Sequence, residues 1–285
     1  MTSAILTSLA FALYLATAVC YGAILFLHAP SAPTLRANGA DSNRTARLGR
    51  PLLLAGILVQ FAAIGFWCAF THRSPFASEY GTLMVAAWAI ALAFAILDFR
   101  TKLPLVGAIA LLVACVLLGW GVAHAGGPVA ENPLLNQQIV SVHVLAIVTS
   151  FGLFAVAFGC AALYLLQNRL LKEHSVSGLF RRIPPLATLD SVAYHAVAYA
   201  LPLLTLGLAV GFAQAFGGAG HHSPREWLLD AKTLVSIATW FLYVFYLGAR
   251  LVVGWRGVRL QYILLAGLFV TLALYIVPTT AHRFN

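Results

Sequence analysis

Nine histidines stand in a chain that has almost no other ionisable group inside its apolar stretches. In such surroundings imidazole is the side chain best suited to bind a metal or carry a proton. His143 falls about 6 Å inside one end of an apolar run, taking 1.5 Å of rise per residue, and His282 follows the corresponding end of the last run. Two imidazoles at one depth on different helices can supply both axial ligands of a heme iron, with the planar macrocycle between apolar helix faces. The same residues can equally be hydrogen-bonded interfacial side chains. His221 and His222, adjacent in a Gly-rich stretch, read as a solvated turn, and His195 reads as a polar contact between helices.

The elements that must position these groups are membrane spans. With 285 residues, 61% apolar side chains, 9% charged ones and a mean hydropathy of +0.91, the chain cannot be an ordinary soluble domain. Division at charges, Pro and Gly gives eight runs: Ala4 to Leu27, Pro51 to Phe70, Tyr80 to Leu97, Leu103 to Val122, Ile139 to Leu166, Val192 to Phe216, Leu234 to Ala249 and Leu260 to Val277. The runs are continuously apolar, which favours helices over the alternating strands of a barrel. The expected fold is therefore an all-α integral membrane protein of about eight transmembrane helices. The first charge after Met1 is Arg36, so no basic segment precedes the N-terminal run, and that run is read as a retained span.

In an eight-span arrangement 13 of the 17 Lys and Arg residues fall on one side, including Arg50, Arg100, Lys102, Arg181, Arg182, Arg250 and Arg256. Basic loops stay cytoplasmic, which predicts both termini on the outer, periplasmic side. His72, His124, His143, His221, His222 and His282 then belong to the outer layer, and His28, His174 and His195 to the cytoplasmic half. The net charge of +9 is spread over short loops and does not suggest nucleic acid. Basic loops of this kind meet anionic lipid headgroups.

Cys20, Cys68, Cys115 and Cys160 lie singly in apolar runs, with no C-x-x-C pair and no heme-attachment sequence. Phosphate-loop, serine-hydrolase and zincin motifs are absent as well. The outer stretch Trp120 to Pro133 has enough Gly and Pro to exclude a continuous helix. The outer stretch Gly217 to Lys232 combines Gly with Trp227, Asp230 and Lys232, a composition suited to the membrane surface.

Several ordered motifs resemble the cytochrome c assembly superfamily typified by CcsA. They are VHVLAIVTSF at 142–151, LDSVAYHAVAYALPLLTLG at 189–207, WLLDAK at 227–232, the pair Thr239 and Trp240, YLGAR at 246–250, and the His282-Arg283-Phe284 end. These lie in residues 133–285, a cytochrome c assembly-like half with four helices. Residues 1–132 form an N-terminal four-helix half with a weaker echo in SPFASEYGTL at 74–83.

The resemblance implies that His143 and His282 are the outer axial ligands of a non-covalent heme b, with Trp227 and Asp230 beside it. The family's tryptophan-rich platform is reduced here to Trp227, Asp230 and Lys232, which argues against full cytochrome c heme lyase activity. A further family histidine within a span is replaced by Gly248. The chain is most similar to the shorter branch containing YpjD and HemX. This implies a heme-binding protein of the bacterial cytoplasmic (inner) membrane that acts in heme handling or cytochrome c maturation, with apocytochrome c or other maturation proteins as partners. One alternative is a HemX-like regulator acting on a heme-synthesis enzyme through basic cytoplasmic loops that include Arg181 and Arg182. The other is a heme transporter.

Overall fold

The computed structural model describes residues 2–26, 38–124, 138–173, 182–216 and 228–276, with side chains described throughout except at 26, 38–47, 138, 215 and 274–276. Among the described residues the regular structure is helical: α1 (Thr2–Phe26), α2 (Asn38–Thr71), α3 (Glu79–Thr101), α4 (Pro104–Ala123), α5 (Gln138–Lys172), α6 (Leu186–Phe216), α7 (Ala231–Leu251) and α8 (Val258–Ile276), with a short 3-10 turn at Pro75–Ala77. The seven helices α1 to α7 are long and apolar enough to cross a bilayer, and the described apolar part of α8, Val258–Ala273, is shorter. This is the architecture of a multi-pass integral membrane protein.

Several helices run past the bounds set by composition. α2 begins thirteen residues before Pro51, and its apolar span starts at Leu48. α5 continues six residues beyond Leu166, where Arg169 bonds Glu173 one turn on at 2.8 Å. α4 runs through Trp120 to Ala123 before His124 caps it, so the first residues of the stretch expected to be non-helical continue the helix. Residues 125–133 of that stretch lie outside the described residues.

α5 lies at the centre, packed against α3, α4, α6 and α8. Two of its glycines bring neighbouring backbones close. A Cβ on Gly152 would stand 2.7 Å from the Ala89 carbonyl oxygen of α3, and one on Gly159 would stand 3.0 Å from that of Val106 on α4. The Phe154 ring stacks on Tyr243 of α7 at 3.6 Å between centroids, and Phe158 meets Phe269 of α8 edge-on. α7 thus closes the bundle between α6 and α8.

Polar contacts show which helix ends lie together. At one end Tyr80 of α3 meets Thr7 of α1 at 2.9 Å, and Trp120 of α4 donates Nε1–H to Glu79 of α3 at 3.1 Å. At the other end Arg50 of α2 donates Nε–H to Asp98 of α3 at 2.7 Å. There Arg250 of α7 makes a two-pronged pair with Asp190 of α6 at 2.9 and 2.8 Å, and Gln261 of α8 donates to the same carboxylate at 2.9 Å. Arg182 donates to the Ile24 and Leu25 carbonyls of α1 at 3.3 and 2.9 Å, giving acceptors at that helix end a partner. We refer to these as the Glu79 end and the Arg250 end.

The segment SPFASEYGTL is a compact double cap. Ser74 begins the 3-10 turn, Pro75 occupies its first position, and Ser78 accepts the Gly81 N–H at 3.0 Å as the cap of α3. The Pro75 carbonyl rests directly on Gly81, where a Cβ would overlap it. Because the obstacle is backbone, it cannot rotate away. Gly81→Ala is expected to destabilise the protein by about 2 kcal/mol, read as an earlier unfolding transition in detergent. Unfolding unchanged from wild type would contradict this close approach.

Candidate functional site

His143 lies near the start of α5, at the Glu79 end, and its ring is directed onto α6. Nδ1 is 2.6 Å from the backbone carbonyl oxygen of Gly207. A carbonyl can only accept, so Nδ1 carries the proton and Nε2 of the neutral ring keeps a free lone pair. This is the arrangement in which an imidazole ligates through Nε2 while its other nitrogen is held by a protein acceptor. The ring fits because α6 offers no side chain there. A Cβ on Gly211, one turn beyond Gly207, would stand 2.6 Å from Cε1 and 3.0 Å from Nδ1 of His143.

One further turn along the same face of α6 lies Gln214, seven residues from Gly207 and so within about 20° of it around the helix. Its Nε2 is buried without a hydrogen-bond partner. A buried amide donor without an acceptor is costly. The face of α6 opposite His143 therefore combines a proton-fixing carbonyl, a glycine cradle and an orphaned donor.

A second polar group occupies the same end of the bundle. His124 donates Nδ1–H to the Trp120 carbonyl at 2.9 Å and stacks on the Trp120 ring at 5.1 Å, and Trp120 in turn donates to Glu79. The Lys232 ammonium at the start of α7 lies within electrostatic reach of Glu79 and Asp230. Asp230 is buried and caps α7 by accepting the Lys232 N–H at 3.2 Å. Its observed role is thus to start the helix that carries Thr239, Trp240 and Arg250. Trp240 donates to Thr205 of α6 at 2.8 Å, tying α7 to the segment that leads into Gly207.

His282 and Trp227 lie outside the described residues, as do His28, His174, His221 and His222. His195 departs from the expected contact between helices: it is exposed, and its Nδ1 bonds the Ser191 carbonyl of its own helix at 2.8 Å. The carbonyl four residues back is the nearest acceptor, so this imidazole is satisfied locally. No group of three or more His, Cys, Asp or Glu among the described residues is placed to hold a metal ion. Ligation by a pair of histidines from separate segments needs no such cluster.

Sequence reasoning placed His143 but missed Gly207, Gly211 and Gln214. The available signal was the LGLAVG stretch, whose two glycines stand four residues apart on one helical face. What that face meets is a tertiary fact.

The sequence model of the family described as Cytochrome C assembly protein matches residues 77–282, nearly three quarters of the chain. The chain belongs to the cytochrome c assembly protein family. The match starts within SPFASEYGTL and takes in α3 and α4 as well as the later helices. Among relatives, "Cytochrome c biogenesis protein CcsA" of Guillardia theta is 25% identical over 221 residues, covering 71% of this chain and 72% of its own. "Protein HemX" of Brevibacillus brevis is 25% identical over 232 residues, covering 81% of this chain and 84% of its own. "Protein HemX" of Bacillus subtilis (strain 168) is 27% identical over 204 residues, with coverage of 70% and 71%. The solved structure of "Cytochrome c Heme Lyase CcmF" superposes on 98% of this family member with a TM-score of 0.62 at 18% identity, which shows a shared fold. The chain spans about half the length of that structure, 47%.

Proposed function

We propose that this family member binds b-type heme with His143 and His282 as axial ligands, close to the outer face of a bacterial cytoplasmic membrane, and acts in heme handling during cytochrome c maturation. The observation that carries the reading is the Nδ1–H bond from His143 to Gly207, which leaves Nε2 as the available donor atom. In support of this reading, His143 offers a neutral imidazole with Nε2 free, and Gln214 offers a buried amide donor. The bound heme would supply the redox chemistry, while this chain's residues bind and orient it. The 13 basic residues counted on one side support placing the Arg250 end in the cytoplasm. The reduced Trp227, Asp230 and Lys232 segment favours handling over full lyase chemistry.

The test is absorbance and pyridine hemochrome analysis of the detergent-purified protein. A low-spin b-type spectrum is expected, with slow CO binding on reduction because both axial positions are filled. Protein that stays heme-free after reconstitution with hemin would overturn the reading.

Gln214→Leu gives an independent check. Removing a buried unpartnered donor leaves the apo protein as stable as wild type or slightly more so, while hemin affinity is expected to fall about tenfold as one hydrogen bond to a charged group is lost. Thermal unfolding and hemin titration of the same preparation measure both. An apo protein that is less stable, with unchanged affinity, would make Gln214 a structural residue.

A second reading, a HemX-like membrane regulator of heme synthesis, is favoured by the identity to HemX of Bacillus subtilis (strain 168), 27% against 25% for CcsA of Guillardia theta. Arg182 donates to carbonyls at the end of α1, and Arg181 lies outside the described residues. Arg181→Gln is expected to weaken co-purification of the heme-synthesis enzyme under this reading while leaving heme content unchanged.

A further inference from the structure

We infer that the glycine face of α6 is the positioning device for the His143 ligand. Gly207 holds the proton on Nδ1 through its carbonyl, and Gly211 leaves the space in which the ring stays oriented with Nε2 free. This rests on the heme-ligand reading and extends it to residues that touch no iron.

The argument has three parts. First, the Gly207 carbonyl belongs to a different helix from His143, so the ring's orientation reports the packing of α5 on α6 and not local backbone geometry. His124 and His195 show the contrast, since each bonds a carbonyl four residues back in its own chain segment. Second, the seam is tight at both glycines. A Cβ at Gly207 would meet Ile147 Cγ1 at 2.5 Å, and one at Gly211 would meet the imidazole at 2.6 Å. Separations under 3.0 Å force something to move, and at Gly211 the group in the way is the ligand ring itself. Third, a carbonyl acceptor on Nδ1 makes the imidazole more basic at Nε2, strengthening it as a donor and favouring ferric over ferrous iron. The same bond that orients the ring therefore also tunes the site.

Gly248 supplies an internal control, because nothing lies within 4 Å of a Cβ placed there. The experiment uses the full chain in detergent. Nitrogen NMR of ¹⁵N-histidine-labelled apo protein, with His143 assigned by its absence in His143→Ala, is expected to show the Nδ1–H tautomer. Gly211→Ala is expected to lose that signature, to bind hemin about ten- to a hundredfold more weakly, and to shift the reduction potential upward. Gly248→Ala should match wild type in all three.

An Nε2–H tautomer in the wild type would overturn the inference, as would a Gly211→Ala protein with wild-type tautomer, affinity and potential. If Gly211→Ala does not fold, the wild-type tautomer decides alone. A heme spectrum unchanged in His143→Ala would instead overturn the ligand reading, and the two failures are told apart because the apo tautomer involves no heme.

Discussion

His143→Ala is expected to lower hemin affinity by at least about a hundredfold, above the cost of losing an outer-shell partner of a metal ligand, with conversion of any residual heme to a high-spin, CO-reactive form. In the proposed site the ring would contribute the ligating nitrogen, and the substitution also leaves the Gly207 carbonyl without its donor and opens space against Gly211. His195→Ala is the proper comparison. That imidazole lies toward the Arg250 end of α6, faces outward and bonds only its own helix, so its removal should leave the spectrum and affinity as in wild type. Hemin titration followed by absorbance, with the variants at equal yield, measures the difference. Equal affinities for wild type and His143→Ala would remove this residue from the site.

Asp190→Ala is expected to destabilise the protein by about 3 kcal/mol, the lower part of the range for breaking a buried pair from one side. The lower part applies because the Asp190 and Arg250 side chains keep 15% and 13% of their surface exposed. Three helices meet on this carboxylate: Arg250 through two hydrogen bonds and Gln261 through one, while the guanidinium also lies over the Tyr194 ring at 4.6 Å. Alanine strands a guanidinium and an amide together. Arg250→Met removes the cation but leaves Asp190 with the Gln261 donor, so it should cost somewhat less. The double variant Asp190→Ala with Arg250→Met should recover part of the loss, because no charge is then left unpaired and only the Gln261 amide lacks its acceptor. Denaturant unfolding in detergent checks the series, and additive single and double effects would show that the pair is not coupled. The pair also holds α6 against α7 and α8, so these variants test whether the Arg250 end steadies the helix that presents Gly207.

Much of this protein is legible without coordinates. Composition alone demanded a membrane protein, since 9% charge with 61% apolar residues leaves no soluble alternative. The apolar runs between charges located each helix, though not its ends, because a bilayer admits only backbones that satisfy their own hydrogen bonds. The motifs at 142–151 and 189–207 pointed to the family and to His143. Helix ends were the least readable. α2 and α5 extend well beyond their apolar runs, because polar residues continue a helix readily once it has begun.

Pairing between helices was not readable in the same way. Nothing in the order of residues says that His143 faces Gly207, that Asp190 gathers Arg250 and Gln261, or that Asp230 is buried as a cap. Each depends on rotation of a helix about its axis, and an apolar run without amphipathic bias fits lipid on every side. Sequence therefore determined that the chain is a helical membrane protein, which residue types could ligate and which family they compose. The tertiary structure decided which nitrogen of His143 is free, because that follows from a carbonyl sixty-four residues away brought within 2.6 Å by the glycine seam of α5 and α6.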